Sequence, residues 1–63
     1  MVKTKGDDSS REKILEVATK LFSEKGFDST STREIAHAAD LNISLISYYF
    51  DGKEGLYKAV IED

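Results

Sequence analysis

The sequence predicts an all-α fold, a small helical bundle that contains a helix-turn-helix. Apolar residues recur at helical spacing in successive segments, and no segment alternates apolar and polar residues as a half-buried strand does. Proline is absent, so no residue type forbids a helix. The 63 residues suffice for one small domain, and the lack of cysteine excludes disulfides and thiolate metal sites.

The first helix is predicted to begin at Ser9. Residues 1–8 show no periodicity, so we expect them to form a flexible arm that carries two lysines. Ser9 and Glu12 have the spacing of a capping box, in which each side chain bonds the other residue's backbone N–H. Gly26 ends the helix, and Phe27 is expected to fold back on its last turn. The apolar stripe of this helix consists of Ile14, Leu15, Ala18, Leu21 and Phe22.

Two short helices follow and are predicted to form the helix-turn-helix. Ser31 and Glu34 repeat the capping-box spacing, which predicts a second helix that ends near Asp40. Asn42 is a favourable cap for a third helix, predicted over residues 43–49. The apolar residues expected to face inward from these helices and their turn are Ile35, Ala36, Ala39, Leu41, Ile46 and Phe50.

A fourth helix is predicted from about residue 53. Asp51 and Glu54 again have the spacing of a cap followed by a glutamate in the first turn. The helix has an apolar stripe and ends in two acidic residues, whose charge the helix dipole disfavours at that end. We therefore expect residues 9–63 to form a domain whose fourth helix is truncated and continues in a longer protein. The stripe consists of Leu56, Tyr57, Val60 and Ile61.

The charge balance excludes a strongly basic coat of the kind that binds nucleic acid non-specifically. The chain has nine lysines and arginines against twelve acidic residues, a formal net charge of −3. A binding face built from a few well-placed cations remains compatible with this balance.

Three spaced segments agree, in order, with one known family. They read Arg11-x-x-Ile14-Leu15-x-x-Ala18-x-x-Leu21-Phe22-x-x-x-Gly26-Phe27, then Thr30-Ser31-Thr32-Arg33-Glu34-Ile35-Ala36-x-x-Ala39, then Ile46-x-Tyr48-Tyr49-Phe50-x-x-Lys53-Glu54-x-Leu56. With these residues the chain resembles the tetracycline-repressor (TetR) family of bacterial transcriptional regulators over about residues 11–60. The resemblance implies a three-helix DNA-binding domain followed by the start of a fourth helix.

The resemblance also implies a role for individual residues. Phosphate contacts fall on Thr32, Tyr49 and Lys53, which supply two hydroxyls and one cation. Base or groove contacts fall on Arg33 in the second helix and on residues of the helix predicted over 43–49. The residues of that helix are Ser44, Leu45 and Tyr48, with Ile43 and Ser47 as further candidates. The chain departs from the family pattern where Asp40 and Ser44 replace glycines and Ser47 replaces a frequent tyrosine. The two serines leave the target DNA sequence open.

At the level of the whole protein, the resemblance implies a cytoplasmic, nucleoid-associated regulator, most often a repressor. Family members are homodimers that bind a palindromic operator in double-stranded DNA. Their dimer contacts and small-molecule inducer pocket lie in a larger C-terminal region, which this chain does not contain. No cofactor, metal ion or membrane is expected, and the protein is not expected to be an enzyme.

Two other functions stay open at this point. A helical protein-interaction module is compatible with the net acidity and with the truncated fourth helix. An enzyme would have to act through His37, the one histidine, because the first-turn carboxylates are explained as helix caps.

The candidate residues also have structural interpretations: Tyr48 and Tyr49 as core aromatics, Arg33 paired with Glu34 or Glu54, Lys53 as a solvated lysine, and His37 as a surface residue.

Overall fold

The computed structural model describes the backbone of residues 6–62 and the side chains of residues 9–62. Within that range the chain forms four helices and no strand, so the all-α prediction is confirmed. The helices are α1 (Gly6–Lys25), α2 (Thr32–Ala39), α3 (Ser44–Phe50) and α4 (Lys53–Glu62).

Helix α1 begins earlier than the sequence predicted. It starts at Gly6, so Ser9 lies inside the helix and the predicted capping box at Ser9 is wrong. Residues 6–8, which we expected in the arm, are helical, while residues 1–5 of that arm lie outside the described residues. The helix dipole favours acidic residues in a first turn, and two aspartates occur there. Because this turn has no apolar residue, periodicity could not detect it.

The core is a single cluster to which all four helices contribute. Helix α1 packs against each of the other three helices, and α3 also packs against α4. The predicted stripe of α1 supplies three buried residues, while Leu15 and Leu21 lie half-buried at its edges. The buried members of the cluster are Ile14, Ala18, Phe22, Ile35, Ala36, Ile46, Phe50 and Leu56.

The turn between α1 and α2 is fixed by a glycine and by a buried threonine. Gly26 adopts φ +91° and donates its N–H to the Phe22 carbonyl at 2.9 Å, as the predicted helix end requires. Phe27 folds back so that its ring lies 5.6 Å from the Phe22 ring. Thr30 is 1% exposed and its hydroxyl donates to the Gly26 carbonyl at 2.8 Å. The hydroxyl thereby satisfies a carbonyl that the helix leaves without an N–H partner.

The connection between α3 and α4 corrects two boundaries. Helix α3 covers Ser44–Phe50, one residue later than the predicted 43–49. Asp51 has a left-handed backbone (φ 65°), and its N–H donates to the Ser47 carbonyl at 2.9 Å. Asp51 therefore ends α3, and its predicted role as the cap of α4 is wrong. Gly52 is the residue before α4, and its carbonyl accepts from the Leu56 N–H at 3.0 Å.

Candidate nucleic-acid interface

Helix α3 is held by one face and leaves the other face in solvent. Ile46 and Phe50, four residues apart, are 1% and 7% exposed and belong to the core cluster. Ser44, Ser47 and Tyr48 are exposed, and Tyr48 has 76% of its surface accessible. This helix is therefore anchored to the core while it presents two hydroxyls and a phenol outward. The interpretation of Tyr48 as a core aromatic is wrong.

The turn that precedes α3 is closed by backbone and side-chain hydrogen bonds. Asp40 ends α2 in a left-handed conformation (φ 60°) and donates its N–H to the Ala36 and His37 carbonyls. Aspartate adopts this conformation more readily than most residues, so the turn forms without the family's glycine. Asn42 Oδ1 accepts from the Ser44 N–H at 2.9 Å and closes the turn, but Ile43 is the residue before α3 and makes no side-chain capping bond, so the predicted cap at Asn42 is wrong.

The start of α2 is fixed by the predicted capping box and by an ion pair. Ser31 Oγ accepts from the Glu34 N–H at 3.1 Å, and the Glu34 carboxylate accepts from the Ser31 N–H at 3.3 Å. The same carboxylate pairs with Lys25 at the end of α1. The bond from Lys25, followed by that from Ser31, holds the pKa of Glu34 below its ordinary value. Glu34 therefore does not pair with Arg33, whose side chain is exposed.

The two adjacent tyrosines of α3 occupy different environments. Their rings lie 5.0 Å apart in an edge-to-face arrangement. Tyr48 is exposed, whereas Tyr49 is half-buried and packs against the core cluster. Tyr49 therefore combines packing with a polar end, as the sequence suggested for an amphipathic ring. Its role as a phosphate contact stays a prediction.

The remaining candidates differ in how far they extend from the core. Ile43, in the turn before α3, is 44% exposed. Leu45 packs against the core and is half-buried, so only part of it is accessible to a thymine methyl group. Thr32, in the first turn of α2, is also half-buried.

Lys53, the candidate cation of α4, has a partner that the sequence did not indicate. Its ammonium lies 4.2 Å from the centre of the Phe27 ring. Lys53 is half-buried, so it is not the freely solvated lysine that the structural interpretation described. The two residues are 26 positions apart, and only the pairing of Gly26 with Phe27 hinted that this ring folds back onto the helices. Sequence reasoning therefore missed Phe27 as the contact of Lys53.

Neither a metal-binding cluster nor a membrane-spanning helix occurs among the residues that the structure describes. That part of the chain contains no group of three or more histidine, cysteine or acidic side chains placed to hold a metal ion. None of its helices has the length and apolar character needed to span a bilayer. His37 lies exposed on α2, where the sequence expected a surface residue.

Comparison with known sequences identifies the family. The family model for bacterial regulatory proteins of the tetR family matches residues 14–60. The chain is 51% identical over 55 residues to a probable HTH-type transcriptional regulator, YttP, of Bacillus subtilis, which covers 87% of this chain and 27% of that protein. It is 34% identical over 53 residues to IcaR of Staphylococcus epidermidis, a negative regulator of a biofilm operon, covering 84% of this chain and 29% of that protein.

A solved structure agrees with the sequence comparisons. The crystal structure of HlyIIR, a haemolysin II transcriptional regulator, superposes with a TM-score of 0.85 at 44% identity. The match covers 90% of this chain and 32% of that protein, so the chain spans about a third or less of the relatives it matches. The alternative of a protein-interaction module has no counterpart among these relatives. The chain belongs to the tetR family of bacterial regulatory proteins, and its helix-turn-helix is that family's N-terminal DNA-binding domain.

Proposed function

We propose that this domain gives a transcriptional regulator its operator specificity by placing α3 in the major groove of DNA. The single observation that carries the proposal is the division of α3 into two faces. Ile46 and Phe50 are buried in the core, while Ser44, Ser47 and Tyr48 are exposed. A helix fixed from behind in this way can present side chains to base edges without rearranging.

The candidate contacts divide into positioning and reading groups. Phosphate contacts by Thr32, Tyr49 and Lys53 would fix the register of the domain on the duplex. Serine hydroxyls donate to or accept from base edges, Arg33 suits guanine, and apolar groups suit the thymine methyl. The proposed base or groove contacts are Arg33, Ile43, Ser44, Leu45, Ser47 and Tyr48.

Several properties of the whole protein are part of the same proposal. A homodimer formed through a C-terminal region would place one α3 on each half of a palindromic operator, about 34–36 Å or somewhat more apart. A small-molecule inducer bound in that region would change this separation and so release the operator. Because IcaR is named a negative regulator, we propose repression as the response, in the cytoplasm and at the nucleoid.

The test uses the full-length regulator that carries this domain. Selection from a pool of random duplexes should return a palindrome, and the Tyr48→Ala variant should bind it about 1–3 kcal/mol more weakly. Ser23→Ala changes an exposed side chain on α1, which has no proposed contact with DNA, and serves as the control with unchanged affinity. Circular dichroism checks that both variants fold. Equal affinity of the Tyr48 variant and the native protein, or unfolding of that variant, would contradict the proposed role of this residue.

A further inference from the structure

The aromatic side chains around Phe27 form a cluster that joins three segments of the chain. The Phe27 ring lies 5.6 Å from the Phe22 ring on α1 and 4.6 Å from the Tyr57 ring on α4. Phe22 and Tyr57 complete the triangle in an edge-to-face contact at 5.2 Å. A ring with two aromatic neighbours at these distances has little freedom to move. The turn after α1 therefore holds the Phe27 ring in a defined place.

Lys53 binds to this fixed ring rather than to a carboxylate. Its Nζ atom lies 4.2 Å from the Phe27 centroid, within the range of a cation–π interaction. Within the described residues, the ion pair of the domain is formed by Lys25 and Glu34 and does not involve Lys53. A ring attracts the ammonium through its quadrupole but carries no net charge. The contact therefore restrains Lys53 without neutralising it, and its positive charge remains available to an anion.

The position of Lys53 relative to α3 makes such a restraint useful. Only Asp51 and Gly52 separate Lys53 from the last residue of α3. Three peptide units span at most about 11 Å, so the Cα of Lys53 stays within that distance of the Cα of Phe50 at the end of α3. Lysine loses substantial rotamer freedom when it is immobilised. A ring that has already restrained the side chain lowers that cost on binding.

We propose that Phe27 is a positioning residue that holds the Lys53 ammonium ready for a DNA phosphate next to α3. The inference rests on the proposed function, because it needs the domain to bind duplex DNA. It goes beyond that function by assigning a role to a residue in the turn after α1, which is not expected to contact DNA. The cluster thereby couples the end of α1 to a phosphate contact of α4.

The first part of the test uses the free chain and does not depend on DNA. Nuclear magnetic resonance should show the Lys53 ε-protons shifted upfield by the ring current of Phe27. The Phe27→Leu variant should lose this shift, and Phe27→Tyr should retain it. Lys58, exposed on the same helix, is the control that should not respond. An unshifted Lys53 in the native chain would overturn the proposal.

The second part measures binding of the full-length regulator, at low salt, to the duplex that the selection returns. Phe27→Leu should weaken binding about two- to fivefold, whereas Phe27→Tyr, which keeps an aromatic ring, should bind as the native protein does. Lys53→Met should weaken binding and reduce the slope of log K against log salt by about 1. In the Lys53→Met background, Phe27→Leu should have no further effect, because the two residues act through one contact.

The outcomes separate this inference from the proposed function. Failure of the full-length native regulator to bind any duplex in the selection would overturn the proposed function. Binding in which the Phe27 and Lys53 effects simply add would overturn only the positioning role, since Phe27 would then act through stability alone. If Phe27→Leu unfolds the chain, pentafluorophenylalanine at position 27 replaces it. That residue keeps the shape of the ring and removes its attraction for a cation, so it should weaken binding in the same way.

Discussion

At the scale of single residues, Thr30 has a structural role that its residue type does not indicate. Thr30 lies in the turn between α1 and α2. The structure buries it at 1% exposure, with its hydroxyl 2.8 Å from the Gly26 carbonyl and 3.4 Å from the Leu21 carbonyl. It thereby closes the end of α1 and fixes the turn that carries Phe27.

Replacing the Thr30 hydroxyl tests this role. Thr30→Val keeps the shape but leaves the Gly26 carbonyl without its hydroxyl donor, so we expect the free energy of unfolding to fall by about 1 kcal/mol. Thr19→Val is the matched control, because the Thr19 hydroxyl also donates to a carbonyl, that of Leu15, at 2.7 Å, but on the exposed surface. Urea denaturation of both variants measures the difference. Equal effects would mean that burial of Thr30 adds nothing.

At the scale of elements, the relative placement of the helices depends on a few close contacts between their ends. Helix α4 approaches the end of α3 at Gly55. A methyl group on Gly55 would lie 1.7 Å from the Phe50 carbonyl oxygen, which is closer than any permitted contact. Glycine is unfavourable inside a helix, so this position is explained by the close approach and not by helix propensity.

Gly55→Ala is expected to force α4 away from α3. Alanine is a better helix former by about 1 kcal/mol, but the steric conflict should outweigh that gain and destabilise the domain by about 1–3 kcal/mol. Thermal denaturation measures the effect. Chemical shifts of α3 should change as well, because the displaced helix contacts it. A variant more stable than the native chain would contradict the close approach.

The ion pair between α1 and α2 predicts how stability depends on pH. The partners of Glu34 lower its pKa in the folded state, so the pairing stabilises the fold above the ordinary value of 4.5. This contribution is lost as the pH falls through the lower, folded-state pKa. Glu34→Gln removes the charge and retains a hydrogen-bond acceptor for Ser31. Thermal denaturation should show the native chain as the more stable at neutral pH and the two chains converging in acid.

The pH dependence of this difference in stability should also depend on Lys25. In a Lys25→Met background, Glu34→Gln should change the pH dependence less, because the larger cause of the lowered pKa has been removed. An unchanged pH dependence would show that the bond from Ser31 alone lowers the pKa.

At the scale of the whole molecule, the distribution of charge determines how strongly one domain can bind. Helix α3 reads Ser-Leu-Ile-Ser-Tyr-Tyr-Phe and contains no charged residue. The cations proposed at the interface are Arg33 and Lys53, in a chain whose formal net charge is −3. Each phosphate contact made by a cation contributes about −0.9 to the slope of log K against log salt. The domain is therefore proposed to contact base edges mainly through uncharged side chains and phosphates through few cations.

A single domain should accordingly bind an operator weakly. We expect the 63-residue chain to have a dissociation constant in the micromolar range or above, with a salt slope near −1, because Lys53 is the one cation proposed to contact a phosphate. The proposed full-length dimer should bind far more tightly, because its second domain would engage at a high effective concentration. Fluorescence anisotropy at several salt concentrations measures both. Nanomolar affinity of a chain shown to be monomeric by sedimentation would contradict this expectation.

The sequence by itself determined the number and order of the helices and the inner faces of α1, α2 and α3, whereas in α4 Leu56 is buried and Tyr57 and Ile61 of the predicted stripe are exposed. The buried positions of α2 and α3 follow from apolar residues at helical spacing, and Ser31 and Gly26 fix boundaries because their preferences are local. The same locality explains the errors. Helix α1 extends to Gly6 through a turn that has no apolar residue. Asp51 is a residue type that often caps the start of a helix, but here it ends α3 in a left-handed conformation.

Only the tertiary structure decided which distant residues meet. The contact of Lys53 with Phe27, the burial of Thr30 and the approach of Gly55 to Phe50 depend on the angles at which helices cross. Those angles result from the packing of side chains from all four helices at once, and no short segment contains that information. The outward face of α3 was predictable because periodicity assigns it. The restraint on its neighbouring cation was not, because a ring from another part of the chain supplies it.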